Sequence, residues 1–279
     1  MIDFSFRKTF RTQTDSVVLD LTGTAPEGRI TAVLGKSGSG KTSLAMMMAG
    51  LLRADEGHFS VAGRVFEDTR ANREEGNGRG AFFSFFGKAR KPAGLFTPPE
   101  ERGIGFVFQN HRLFPYRTVR ENILYPVRHG RRTPRIALDT VVDLLGLADL
   151  LDRLPSTLSG GQAQRVSLGR ALLASQTMLI MDEPTASLDP ALRGELTDYI
   201  CRIPEVCSLS VLYITHHVEE AMSLTDQAIL IENGKVAARG TPEELASFYA
   251  QGFQVSGAAR ARAPRRAAAA PVPTSSGPM

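Results

Sequence analysis

Long apolar runs are missing from this sequence: no uninterrupted stretch approaches the roughly 18 residues that a membrane span needs. The start, Met1-Ile2-Asp3-Phe4-Ser5, lacks the basic-then-apolar order of a secretory signal, so a soluble, intracellular chain is expected. Cysteine is scarce. Cys201 and Cys207 have neither CxxC spacing nor a nearby histidine, which favours reduced structural thiols over a metal or disulfide site. Acidic residues are absent from 251–279, where Arg260, Arg262, Arg265 and Arg266 lie. With 33 basic and 29 acidic residues in all, this tail carries the whole formal charge of +4 and leaves residues 1–250 neutral. A nucleic-acid partner is therefore not expected. The tail, rich in Ala, Pro, Ser and Gly, reads as disordered and solvated.

What is present begins with Gly35-Lys36-Ser37-Gly38-Ser39-Gly40-Lys41-Thr42 and the following Ser43, behind the apolar run Ile30-Thr31-Ala32-Val33-Leu34. Glycines let successive N–H groups face inward, and a following helix adds the positive end of its dipole. Lys41 is placed to reach β- and γ-phosphates, and Thr42 to offer its hydroxyl to Mg²⁺. Leu44, Met47, Met48, Leu51 and Leu52 fall on one helical face, so the loop is expected between a buried strand and an amphipathic helix.

Residues 1–6 and 17–21 read as short strands, and 58–61 with 64–66 as a hairpin about Ala62-Gly63. Two readings of Phe10 stand: stacking on adenine, or burial in the core. Residues 70–96 read as an inserted loop rich in Phe, including Phe82-Phe83-Ser84-Phe85-Phe86, for docking or for packing on itself. Gln109 ends the strand Gly105-Phe106-Val107-Phe108, where an amide can reach a metal or an attacking water. Thr118 and Glu121 form a helix-start pair, and residues 110–160 suggest a helical subdomain.

Leu158-Ser159-Gly160-Gly161-Gln162 then opens a helix, as a second anion site without a lysine. Met178-Leu179-Ile180-Met181 runs into Asp182-Glu183, two carboxylates at a sheet edge. Asp182 suits the Mg²⁺ shell through water, and Glu183 suits the attacking water. Asp189 follows. Val211-Leu212-Tyr213-Ile214-Thr215 ends at His216, which can donate to a γ-phosphate.

In this order, the P-loop, Gln109, LSGGQ, Asp182-Glu183, Asp189 and His216 resemble the ATPase cassette of ABC transporters over about residues 1–245. The resemblance implies an α/β P-loop fold with a mixed central sheet, an antiparallel β edge subdomain and a helical subdomain, filling 1–250. It also implies ATP and Mg²⁺ as cofactors and a head-to-tail dimer, with each ATP between one copy's P-loop and the other's LSGGQ. Further implications are an integral membrane permease, an extracytoplasmic substrate-binding protein and a peripheral place on the cytoplasmic face of the cell membrane. Phe114-Pro115 and Thr118-Val119-Arg120-Glu121-Asn122 are similar to importer cassettes, and residues 98–109 to the oxyanion and metal branch that includes molybdate importers. Three departures stand out: residues 246–279 do not read as the regulatory β-domain typical of such importers, His217 replaces the Asp common after the switch histidine, and 70–96 has no counterpart. The other readings are a non-transport cassette acting on ribosomes or DNA, and a nucleotide-binding module without turnover.

Overall fold

The computed structural model describes residues 1–11, 16–69, 94–130 and 133–250. The expected turn at 12–15, most of the Phe-rich insertion and the basic tail lie outside the described residues. Along the chain run strands β1 (Ile2–Arg11), β2 (Ser16–Ala25) and β3 (Ile30–Leu34), then helix α1 (Lys41–Met48), β4 (Glu56–Val61), β5 (Arg64–Asp68) and β6 (Leu95–Phe96). After α2 (Pro99–Arg102) and β7 (Ile104–Val107) come α3 (Val119–His129), α4 (Leu138–Leu145) and α5 (Gly160–Ala174). The chain continues through β8 (Met178–Asp182), α6 (Pro190–Cys207), β9 (Ser210–Ile214), α7 (Val218–Leu224), β10 (Ala228–Glu232), β11 (Lys235–Gly240) and α8 (Pro242–Ala250).

The strands form a single mixed sheet in the order β6-β5-β4-β1-β2-β11-β10-β3-β9-β8-β7. One half is antiparallel, β2 to β1 to β4 to β5 to β6, and its strands alternate. In β1 the side chains of Ile2, Phe4 and Phe6 are buried while the intervening ones face outward. The other half is parallel from β10 through β3, β9 and β8 to β7. Every residue of β3, β8 and β9 is buried, as expected of apolar strands covered on both faces. Helices α3, α4, α5 and α6 pack on one face around Ile123, Val141, Leu145, Val166, Leu172 and Ile200. The aromatic face of β1 and β4 closes over α1 through Phe4, Phe6, Phe59, Met47 and Met48. Among the described residues, no helix is long and apolar enough to cross a membrane.

Several local expectations change. Strands β1 and β2 pair from Ile2 opposite Ala25 to Arg11 opposite Ser16, well beyond 1–6 and 17–21. The extra length is held from afar: Asp55 accepts from Lys8 Nζ at 2.8 Å and from Thr9 N–H at 2.7 Å. Leu51 and Leu52 do not continue α1. Gly50, at φ 76°, follows the helix end, and Leu51 is 44% exposed. The helix closes in a glycine-capped turn, Leu51 N–H to Met46 O at 2.9 Å and Gly50 N–H to Met47 O at 3.0 Å, and a Cβ at Gly50 would sit 2.5 Å from Arg102 Nε. Leu95 and Phe96, read as loop, form the edge strand β6 against Glu67 and Asp68. Cys207 is a buried thiol and Cys201 an exposed one, both free.

Candidate nucleotide site

Four loops leave the carboxyl ends of adjacent parallel strands. Val33 of β3 and Asp182 of β8 both pair with Ile214 of β9, and Met181 pairs with Val107 of β7. The phosphate loop, the Thr215-His216 corner, Asp182-Glu183 and the Gln109 loop therefore emerge side by side, where parallel α/β sheets bind ligands.

The loop that follows β3 has the chemistry of an anion cradle. Gly35 adopts φ 156°, and a Cβ there would meet Ile231 O at 2.4 Å and Ser39 Oγ at 2.6 Å. Gly40, at φ 110°, caps α1 without a side-chain acceptor, and no acidic residue lies in the helix's first turn. The first N–H groups of α1 are thus left for an external anion. Ser39 Oγ is buried with no partner in the described structure, a second polar group fitted to an external acceptor. Lys41 is 5% exposed, and its Nζ donates to Gly35 O at 2.8 Å and Lys36 O at 3.0 Å. Burial lowers the Lys41 pKa, and the nearby Glu183 and Asp182 oppose that shift.

Thr42 Oγ1 donates to Asp182 Oδ1 at 3.1 Å, bringing together two of the residues expected at a metal. Burial raises the Asp182 pKa; the Thr42 hydrogen bond and Lys41 work against it, while Glu183 adds to it. A dry carboxylate beside a hydroxyl is a donor set suited to Mg²⁺. Glu183, next in the chain, has φ 47°, a left-handed conformation costing a non-glycine residue about 1–2 kcal/mol. Its N–H donates to Ile214 O at 3.0 Å, and its Oε1 lies 3.1 Å from His216 Nδ1. If Nδ1–H donates to this carboxylate, Nε2 is the free ring nitrogen, and it becomes a donor only when the ring carries both protons.

His217 packs against His216 with ring centroids 4.0 Å apart and the planes tilted by 40°, and it serves as N-cap of α7 without a side-chain hydrogen bond. His217→Asp is expected to restore an acceptor there, adding about 1 kcal/mol and raising Tm by about 2–4 °C in thermal unfolding. An unchanged Tm would show that this helix end needs no side-chain acceptor.

Ser159 lies apart from these groups. It caps α5 in a capping box: its Oγ accepts from Gln162 N–H at 3.2 Å, while Gln162 Oε1 accepts from Ser159 N–H at 3.0 Å. Ser159 and Gly160 are exposed, Gly161 is buried, and Gly160 and Gly161 face Leu188 and Leu192. Among the described residues, no hydrogen bond or ion pair joins 159–162 to the phosphate loop, Asp182-Glu183 or His216. Asp189 Oδ1 accepts from the N–H groups of Ala191 and Leu192 at 3.0 Å, capping α6. Gln109 is exposed two residues beyond β7, which ends at Val107 rather than at Phe108. Phe10 is 36% exposed beside the exposed Val17 and belongs to none of the buried clusters, so the core reading fails.

Sequence reasoning missed a clamp behind Gln109. Arg170 of α5 donates to His111 O at 3.0 Å and Arg112 O at 2.8 Å, and Gln164 meets the His111 ring. The segment after Gln109 is thereby tied to the helix that begins at LSGGQ. Arg102, Glu67 and Glu220 were missed as well. A basic residue between Leu168 and Leu172 on α5 was the available signal for Arg170, and it does not name a partner; Arg102, Glu67 and Glu220 stand in polar or mixed stretches that give none.

Sheet order and motif placement together define a P-loop cassette fold. A family profile described as ABC transporter matches residues 18–186, more than half of the sequence, and the chain belongs to that family. It is similar to molybdenum import ATP-binding proteins ModC: 45% identical to that of Paramagnetospirillum magneticum, over 77% of this chain and 54% of the relative. Identity to the ModC of Mesorhizobium japonicum is 43%, over 78% and 53%. The chain thus spans about half the length of these relatives. Among solved structures, the fold is similar to the dimeric ATP-binding cassette MJ0796 bound to ADP and Pi. Here the TM-score is 0.66 and identity 22%, over 87% of this chain and 99% of that one.

Proposed function

We propose that this chain is the ATP-hydrolysing subunit of an importer, acting as a head-to-tail dimer with a membrane permease on the cytoplasmic face of the cell membrane. The observation that carries the reading is spatial. Residues suited to phosphate, metal and water meet on four neighbouring strand ends, while a second exposed anion site at Ser159 stays unconnected to them in the same chain. Two copies arranged head to tail complete each site.

In this reading Gly35, Lys36, Ser37, Gly38, Ser39, Gly40, Lys41, Thr42 and Ser43 hold the triphosphate through backbone N–H groups, the α1 dipole and one ammonium. Phe10 offers its exposed ring to adenine. Thr42 and Asp182, with Gln109, would hold Mg²⁺; that ion supplies neutralisation of phosphate charge when bound. Glu183 orients the attacking water and accepts its proton. His216, whose Nδ1 faces Glu183, is placed to donate from Nε2 to the γ-phosphate when the ring carries both protons. From the second copy, Ser159, Gly160, Gly161 and Gln162 present N–H groups to the same phosphate, with Asp189 at the seam.

Residues 1–250 form the ATPase domain, and the helical region 110–160 faces the permease. The importer assignment and molybdate, or a related oxyanion, as cargo rest on the likeness to ModC proteins. An extracytoplasmic binding protein would deliver that cargo to the permease.

The test uses Ser37→Cys and Ser159→Cys in a Cys201→Ser, Glu183→Gln background. With ATP, an intermolecular 37–159 disulfide is expected; without ATP it is not. Absence of the cross-link in a protein that binds ATP would overturn the dimer. Recovery of ribosomes or DNA-repair proteins, with no permease, in a pull-down from membranes would overturn the transport assignment.

A further inference from the structure

One buried carboxylate outside the phosphate site gathers the two corners that carry Glu183 and His216. Glu220, on α7, is 6% exposed. Its Oε1 accepts from Thr185 Oγ1 at 2.8 Å. Its Oε2 accepts from Thr215 Oγ1 at 2.8 Å and from Tyr213 OH at 3.1 Å. Arg193 Nε of α6 lies 3.4 Å from Oε1 and supplies the counter-charge, while its Nη2 reaches Leu188 O at 3.4 Å. Thr185 and Thr215 are themselves buried.

The three hydroxyls come from places that matter to the reaction. Thr185 stands two residues after Glu183, in the turn that leads to Asp189. Thr215 immediately precedes His216, and its Oγ1 also accepts from His217 N–H at 3.0 Å. Tyr213 lies on β9 between them. We infer that Glu220 is a positioning residue: its carboxylate fixes the Glu183 turn and the His216 corner to one point, and so sets the separation of Glu183 from His216. This inference rests on the ATPase reading above.

The chemistry explains why a carboxylate is needed. Three hydroxyls donate to it and one guanidinium faces it as an ion pair, and a carboxylate meets both demands because it accepts at both oxygens without donating and carries the opposite charge. Glutamine keeps the shape but replaces one acceptor oxygen by a donor, which forces a hydroxyl to turn and leaves Arg193 without its counter-charge. Alanine releases both corners. Glu183 already holds a left-handed backbone conformation, so its turn depends on outside anchors to persist. The phosphate loop makes no contact with Glu220 among the hydrogen bonds described, so nucleotide binding stands outside this network.

The experiment measures steady-state ATP hydrolysis by the full chain for the wild type, Glu220→Gln, Glu220→Ala, Thr185→Val, Thr215→Val and the Thr185→Val, Glu220→Gln double variant, with the folded fraction of each taken from near-ultraviolet circular dichroism. Per folded molecule, kcat is expected to fall about tenfold to a hundredfold in Glu220→Ala, as for small misplacements of reacting groups, with KM for ATP within about twofold. Glu220→Gln should lie between the two. Thr185→Val, which removes one hydroxyl and no charge, should also lower kcat while remaining folded, and its effect should be less than additive with Glu220→Gln. If Glu220→Ala does not fold, the Thr185→Val and Glu220→Gln pair decides. A kcat per folded molecule within about twofold of wild type in all folded variants would overturn the positioning role. A wild type that binds ATP but never turns it over would defeat the ATPase reading instead, and the two failures are distinct.

Discussion

Glu183→Gln is expected to cut ATP turnover by about 10²- to 10⁴-fold, the range for removal of a general base, while ATP affinity stays level or rises. The amide keeps the side chain's length and does not alter the left-handed backbone cost, since glutamine pays the same as glutamate at φ 47°. What changes is charge and basicity. Glutamine cannot accept a proton from water, and it removes one of the two carboxylates that lie close to Lys41, where the phosphates would sit. Binding therefore loses a repulsion just as the chemical step loses its acceptor. Single-turnover hydrolysis checks the first effect, and fluorescent-nucleotide titration the second. Gel filtration with ATP should show the variant held as a dimer. Turnover within about tenfold of wild type would remove Glu183 from the role of base.

Arg102→Ala is expected to destabilise the protein by about 3–5 kcal/mol, the range for breaking a buried ion pair from one side. Arg102 and Glu67 are both fully buried, with Nη2 to Oε2 at 3.0 Å. Burial pushes the Glu67 pKa up and the Arg102 pKa down, and each partner opposes the other's shift. The guanidinium also donates from Nη1 to Met47 O at 2.9 Å and Met48 O at 2.8 Å, and from Nε to Thr97 O at 2.8 Å. It thus joins the end of the phosphate-loop helix α1 to β5 and to the segment after β6. Its loss leaves a buried carboxylate without a counter-charge and strips Met48 O of its side-chain donor. For a chain of this size, Tm should fall on the order of 10 °C. Arg102→Lys should rescue little, because one ammonium cannot span four acceptors in three directions. Glu67→Leu combined with Arg102→Met should be less destabilised than Arg102→Ala, because it removes the unpaired charge. Urea unfolding of the four proteins measures all of this, and a loss below about 1 kcal/mol for Arg102→Ala would show that the pair contributes little.

The parts of the fold that sequence made legible are those whose cause is local. Thr118 with Glu121 and Ser159 with Gln162 both form capping boxes at the expected helix starts. The turn at Ala62-Gly63 takes positive φ at both residues, as its hairpin requires. Runs such as Met178-Leu179-Ile180-Met181 announce buried strands because both faces are apolar. Where distant residues decide, the reading fell short. The outer ends of β1 and β2 depend on Asp55, which lies 47 residues from Lys8 and within neither a helix turn nor a hairpin of the strands it holds.

The candidate site divides the same way. The loop at 35–43, the paired acids at 182–183 and the histidine after an apolar strand stand out in the sequence because each motif carries its own donors, acceptors and backbone freedom. Their adjacency was not contained in any of them. It follows from the order β3-β9-β8-β7, a matter of long-range strand pairing. The roles of Glu220 and Arg102 belong wholly to tertiary structure. A glutamate in a helix or an arginine before a strand is ordinarily solvated, and only closure of the fold around it, removing water from every side, turns it into the one acceptor or donor its neighbours have left.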